Sequence, residues 1–227
     1  MSQGVGPPAD KQALRRQLRA GRRSRAAERD RDADADAIAA AASSLLDTLS
    51  PPSPLSPLSP PSPPSPPAPG LGEQRENGEH PEYGERLRVA IYRSLPTEPP
   101  TQALAEMLHA RGATVIVPEM LPDRDLDWHE LGPDGTEGPG LGLEAIATAL
   151  VILTPALAVD HRGTRLGQGG GSYDRALARR NPEAIIVAIV NDEEYAEWPL
   201  PRDAHDVGVD AVITPGTGVS PIPDPLA

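Results

Sequence analysis

The residues best equipped for chemistry lie between Gly163 and Arg175, where the chain reads Gly-Thr-Arg-Leu-Gly-Gln-Gly-Gly-Gly-Ser-Tyr-Asp-Arg. Glycines such as Gly167, Gly169, Gly170 and Gly171 let a backbone approach phosphate oxygens closely and take positive φ. Arg165 adds a planar cation suited to two-point contact with phosphate. Asp174 puts a carboxylate where Mg2+ can bridge it to a bound anion. An apolar run from Leu150 to Leu153 comes before this stretch, and a helical pattern from Tyr173 to Arg180 follows. The spacing therefore predicts a strand, a glycine loop and a helix start. The first N–H groups of a helix have no internal partner and carry partial positive charge, which favours anions. A purely structural turn is the alternative. The loop is not a Walker A motif, because no Gly-Lys-Ser/Thr follows, and Ser172 stands where a dinucleotide fingerprint needs its third glycine.

Other charged residues need elements to position them. Asp10 reads as an N-cap, followed by a helix with Leu14 and Leu18 at helical spacing. That helix carries Lys11, Arg15, Arg16, Arg19, Arg22, Arg23 and Arg25 in a chain with more acidic than basic residues. Lys11 and Arg15 share one face. The cations form either a solvated face that pairs with acidic surface or a phosphate clamp. Glu98 lies in the loop Ser94–Pro100, just before a helix opened by Thr101. A helix N-terminus favours an acid there in any case.

The remaining pattern is that of an α/β protein. Asp32 to Leu49 predicts an alanine-rich helix. Leu87–Tyr92, the helix ending near Arg111-Gly112, and Thr114–Val117 form a strand–helix–strand unit, which implies parallel strands. In such sheets ligands bind beyond the carboxyl ends of the strands, where Glu98 lies. Met120 to Pro139 reads as irregular, with Leu126, Trp128 and Leu131 able to form an edge strand and Trp128 a packing residue. Leu143–Thr148 reads as a short helix. Ile185 to Val190 is a continuous apolar run, as expected of a strand buried on both faces, and the last strand ends at Thr214. Ser50 to Gly84 is rich in proline and serine, which forbids helix and inner strand. The fold class expected is α/β, with an open, mostly parallel sheet flanked by helices and a helical N-terminal extension. A single domain over 10–214 is interrupted by a disordered insertion at 50–84 and followed by a flexible tail at 215–227.

Composition narrows the function. The chain has 227 residues, a formal net charge of -12, no cysteine and no phenylalanine. The acidic balance argues against nucleic acid as a partner. Without cysteine there are no disulfides and no thiol chemistry. No apolar run approaches the roughly 20 residues needed to span a bilayer, and Met1 to Asp10 lacks the apolar core of a signal peptide. A soluble cytoplasmic protein with no membrane partner is expected.

Pro155-Ala156-Leu157-Ala158-Val159-Asp160, then Gly163, then Arg165-Leu166-Gly167-x-Gly169-x-Gly171-x-Tyr173-Asp174-Arg175, resembles the signature of the 5-formyltetrahydrofolate cyclo-ligase family, also called methenyltetrahydrofolate synthetase. Lys11-x-x-Leu14-Arg15 matches that family's N-terminal pattern, and Asp206 to Thr214 matches its closing motif. The resemblance implies a monomer that uses ATP with Mg2+ to convert 5-formyltetrahydrofolate into 5,10-methenyltetrahydrofolate. It implies that Lys11 and Arg165 act in catalysis, and that Lys11, Arg15, Arg165, Leu166, Gly167, Gln168, Gly169, Gly170, Gly171, Ser172 and Tyr173 bind ATP. Glu98, Gln168 and Tyr173 would contact the folate, and Asp174 and Asp206 would hold Mg2+. His205, beside that Asp, is given no catalytic role. The chain departs from the family pattern at Val159, Gln168 and Ser172, where members often carry aromatics, and in a shortened segment around Glu137. Those departures define a non-catalytic nucleotide- or folate-binding homologue as the alternative. A sugar-phosphate isomerase is a third reading, but it needs a general base near the loop and none is identifiable.

Overall fold

The apolar runs pair into one large sheet and one small one. The computed structural model describes residues 10–49, 87–203 and 206–223. The proline- and serine-rich stretch 50–84 and His205 lie outside them. The large sheet contains β1 (Arg88–Ala90), β2 (Thr114–Met120), β3 (Leu126–Leu131), β4 (Glu137–Gly140), β5 (Val151–Pro155), β8 (Ile185–Ile189), β10 (Ala211–Thr214) and β11 (Gly218–Pro221). Their spatial order is β11-β10-β8-β5-β1-β2-β3-β4. The middle of the sheet, from β10 to β2, is parallel, and β11, β3 and β4 add antiparallel edges. The small sheet contains β6 (Ala158–Asp160), β7 (Arg165–Leu166) and β9 (Tyr195–Ala196), in the order β7-β6-β9.

Alternation along the central strands builds two cores. Val89, Val115, Val151 and Leu153 face helices α2 (Arg31–Leu49) and α3 (Gln102–Ala110), meeting Ile38, Leu46, Leu104 and Leu108. Ala90, Ile116, Ile152 and Ile186 face the other way, against a 3-10 turn at Leu143–Thr148 and helix α4 (Ser172–Ala178). Trp128 is fully buried in that second core and confirms its reading as a packing residue. Among the described residues no helix is long and apolar enough to cross a membrane.

Several expectations change. Pro215 onward is not simply a tail: Gly218–Pro221 pairs antiparallel with β10, from Ala211↔Pro221 to Thr214↔Gly218. Met120 to Pro139 is not irregular but holds β3 and β4. The strand expected over Thr114–Val117 continues through Pro118 to Met120. β1 runs beside β2 only to Ile116, so the missing N–H of Pro118 falls where β2 has one neighbour instead of two. The strand that feeds the glycine loop is β7 in the small sheet, not the apolar run that becomes β5. The helix after the loop spans Ser172–Ala178, shorter than the Tyr173–Arg180 pattern suggested.

Candidate active site

Helix α1 (Lys11–Ala26) is capped by Asp10, whose carboxylate accepts from the N–H groups of Gln12 at 3.0 Å and Ala13 at 3.1 Å. Leu14 anchors the helix by packing on Ala158, Leu166 and Leu200. Its basic residues divide: Arg16 and Arg23 are exposed and Arg25 pairs with Glu193, as a solvated face would have them, whereas Lys11, Arg15, Arg19 and Arg22 turn onto the rest of the protein. Arg15 Nε donates to the carbonyl of Gly167 at 3.0 Å. Arg19 donates to the Gln168 carbonyl at 2.5 Å and to the Gln168 side chain at 2.8 Å. A carbonyl held in this way directs the N–H of the next residue to the opposite side of its peptide plane. The helix therefore sets the orientation of the glycine loop. Lys11 Nζ bonds Asp203 at 2.7 Å and Asp206 at 2.8 Å. Burial works against the Lys11 charge, but the two carboxylates more than offset it and hold its pKa above the ordinary value.

The loop itself is pinned by Asp160 at the end of β6. One carboxylate oxygen accepts from Arg162 and Thr164, both at 2.9 Å, and the other from Leu200 at 2.8 Å. Gly163 sits at φ 73°, and a Cβ there would meet the carbonyl oxygen of Val209 at 2.4 Å. Only glycine fits that turn. From it β7 delivers Arg165, 6% exposed, whose guanidinium pairs with Asp174 on α4 and stands 5.8 Å from the centre of the Tyr173 ring. Burial pulls the Arg165 pKa below the usual arginine value, and Asp174 only partly offsets this. A guanidinium remains charged at neutral pH all the same. Its Nε and the Tyr173 hydroxyl are buried without a hydrogen-bond partner among the described residues. Buried polar atoms of that kind call for a missing partner.

Glu98 is buried as well. Arg31 holds its loop by donating to the carbonyls of Pro96 at 2.7 Å and Glu98 at 2.9 Å. One Glu98 oxygen accepts the Leu95 N–H at 3.0 Å. Below it, the Tyr92 hydroxyl donates to the Pro99 carbonyl at 3.1 Å, and Thr101 donates to the Tyr92 carbonyl at 2.8 Å.

These parts surround one cavity of about 510 Å³. Lys11, Arg15, Glu98, every residue from Arg165 to Asp174, and Asp206 all line it. Sequence reasoning missed Tyr92, Arg93, Pro118, Met120, Pro155 and Asp203, which line it too. Tyr92, Met120 and Pro155 sit at or just past the carboxyl ends of β1, β2 and β5, where the rule for open parallel sheets would have looked. Leu95 and Met120 are exposed apolar side chains at its rim. Of the departures from the family pattern, Gln168 and Ser172 line the cavity, whereas Val159 is buried in the core. Glu137 does not line it, but pairs with Arg93, which does. Among the described residues no three acidic or histidine side chains group as a metal cage. Mg2+ does not need one, since it is held by one or two carboxylates together with substrate phosphates and water. Asp174 and Asp206, which both line the cavity, fit that donor set.

The geometry can be set beside known proteins. Residues 74–215 match the model of the 5-formyltetrahydrofolate cyclo-ligase family. A 5-formyltetrahydrofolate cyclo-ligase of Mycolicibacterium smegmatis is 36% identical over 146 residues, covering 58% of this chain and 75% of that protein. One from Escherichia coli strain K12 is 32% identical over 141 residues, covering 56% and 77%. The fold is similar to that of a 5,10-methenyltetrahydrofolate synthetase from Aquifex aeolicus, with a TM-score of 0.58 at 21% identity over 93% of this chain and 94% of that one. It is also similar to one from Mycoplasma pneumoniae, with a TM-score of 0.55 at 17% identity over 89% and 97%. The matched span contains the whole glycine loop and the strands that carry it, and the chain belongs to the 5-formyltetrahydrofolate cyclo-ligase family.

Proposed function

We propose that this chain is a 5-formyltetrahydrofolate cyclo-ligase that uses ATP and Mg2+ to form 5,10-methenyltetrahydrofolate. The observation that carries the proposal is that one cavity is lined by two unlike sets of residues. One half of the lining is the glycine loop, Arg165, Arg15 and Lys11, a surface suited to phosphates. The other is buried Glu98 with the exposed apolar Leu95 and Met120, suited to a flat heterocycle with N–H donors.

The chemistry follows from what each half provides. The formyl oxygen attacks the γ-phosphorus of ATP, and ADP leaves. The product is an N-formyl imidate phosphate, whose phosphate is a far better leaving group than an amide oxygen. N10 then attacks the activated carbon and gives up its proton, the phosphate departs with the former formyl oxygen, and the ring closes. Such a path asks the protein mainly for positioning and charge neutralisation. Arg165 and Lys11 neutralise the transferring group. Arg15 and Arg19 keep the loop carbonyls turned to α1, so that loop N–H groups are available to phosphate oxygens. Glu98 accepts the pterin N–H donors and fixes the ring. Asp174 and Asp206 would hold Mg2+, which supplies charge to the phosphate oxygens when bound.

The cations and carboxylates of the site are paired with each other, Lys11 with Asp206 and Arg165 with Asp174. Mg2+ at the carboxylates and phosphate at the cations would exchange those partners at little electrostatic cost, because each charge keeps an opposite one. The test is optical. Purified protein with ATP, Mg2+ and 5-formyltetrahydrofolate should develop the near-ultraviolet absorbance of the methenyl product, which the substrate lacks. ATP binding with no absorbance change at high protein concentration would instead identify a non-catalytic homologue.

A further inference from the structure

Arg22 is 3% exposed and does not line the cavity. Its Nε and Nη2 bond the two carboxylate oxygens of Glu194, each at 2.6 Å, and Nη2 also reaches the Ala156 carbonyl at 2.5 Å. Glu194 is fixed in turn by accepting the Asn191 N–H at 2.9 Å. The remaining nitrogen, Nη1, has no hydrogen-bond partner among the described residues and stands 3.8 Å from Oε1 of Glu98. One guanidinium thus faces two buried carboxylates, one structural and one on the cavity wall. A staple between α1 and Glu194 would need only one edge of the fork. Nη1, left over, forms an ion pair with Glu98, which lines the cavity that Arg22 itself does not reach.

We propose that Arg22 is a positioning residue for the folate site. It fixes the Glu98 carboxylate so that it accepts the pterin donors. This rests on the reading of Glu98 as the pterin acceptor. The guanidinium is shared between Glu194 and Glu98, so the Glu98 carboxylate keeps acceptor capacity for a ligand edge made of donors. The inference also gives α1 a wider task. Lys11, Arg15 and Arg22 recur along one side of the helix, so the element that orients the phosphate loop also orients the folate carboxylate and keeps the two substrates in register.

The test separates folate from ATP. Arg22→Met alone would strand Glu194 as a buried unpaired charge, so it is combined with Glu194→Gln, which keeps an acceptor for the Asn191 N–H. The double variant should raise the apparent KM for 5-formyltetrahydrofolate by about tenfold, leave the KM for ATP nearly unchanged, and be less than additive with Glu98→Gln. An unchanged folate KM, or both KM values rising together with a lower Tm, would overturn the proposal. Should the double variant not fold, Arg22→Lys carries the test, because a single ammonium keeps the Glu194 pair but loses the second edge of the fork. The same folate-only rise is expected of it, and an unchanged folate KM overturns the proposal. Glu98→Gln alone distinguishes the two failures. If it leaves the folate KM unchanged, the pterin reading of Glu98 falls and takes this proposal with it. If it raises that KM while the Arg22 variants do not, only the role of Arg22 falls.

Discussion

Lys11 and Asp206 stand 195 positions apart in the chain, and their side chains meet at 2.8 Å. The contact joins the start of the first helix to the segment before the last parallel strand, and both residues line the cavity. Asp203 completes the group at 2.7 Å from the same ammonium. Lys11→Met removes the cation and leaves two carboxylates facing the phosphate half of the site. The expected result is a rise of about tenfold in the KM for ATP, roughly 1.4 kcal/mol, with a smaller change in the KM for the folate. Steady-state kinetics with each substrate varied in turn will check it, and equal effects on both would remove Lys11 from the phosphate half.

Asp174→Asn keeps size and hydrogen bonding but removes a charge that serves twice, as a proposed metal ligand and as the partner of buried Arg165. Activity should fall by about 100-fold, near 3 kcal/mol of transition-state stabilisation. High Mg2+ should restore part of it, since a lost ligand weakens metal affinity. Arg165→Lys keeps the charge and loses the two-point fork, so it should raise the KM for ATP and respond little to Mg2+. Full activity of Asp174→Asn at low Mg2+ would end the metal assignment.

What the sequence made legible was local chemistry. The glycine loop, Arg165 and Asp174 adjoin one another, and their residue types carry their uses wherever the loop is placed. The central strands were legible because burial on both faces leaves continuous apolar runs such as Ile185–Val190. The small sheet was not, since β6, β7 and β9 have 3, 2 and 2 residues, too few to show a period. Arg22 was hidden among neighbouring arginines. Its burial depends on Glu194 and Glu98, which only the folded chain brings to the same helix face. β11 was hidden by a glycine- and proline-rich sequence that reads as a tail until β10 offers it an edge.

Gly163→Ala should be severe. Its φ of 73° already disfavours a side chain, and the new Cβ would press on the Val209 carbonyl at 2.4 Å. Strain and overlap together should cost about 3 kcal/mol. Gly135, at φ 81° with nothing within 4 Å of an added Cβ, supplies the control for backbone strain alone. Gly135→Ala should cost about 1 kcal/mol. Urea unfolding of the two variants will compare them, and equal losses would show that the approach to Val209 is not tight in solution.

His129 on β3 gives the fold a pH dependence near neutrality. Its Nδ1 lies 2.9 Å from the Gly138 carbonyl and its Nε2 2.9 Å from a Glu119 carboxylate oxygen. Both neighbours are acceptors, so both ring nitrogens must carry protons for both bonds to form. The Gly138 bond is the largest cause that raises the His129 pKa above its ordinary value of 6.5, burial opposes it, and Glu119 and the charge of Asp127 add to the rise. A group whose pKa is higher in the folded state favours folding when protonated. The contribution is therefore complete below the unfolded value near 6.5 and is lost as pH rises through the folded value. Wild-type Tm should fall as pH rises above about 6.5, as the imidazole releases its proton. His129→Gln keeps polar contacts without a titrating ring, and its Tm should be flatter over the same range. Calorimetry of both proteins across that range measures the difference, and parallel curves would mean that His129 keeps the same protonation in the folded and unfolded chains.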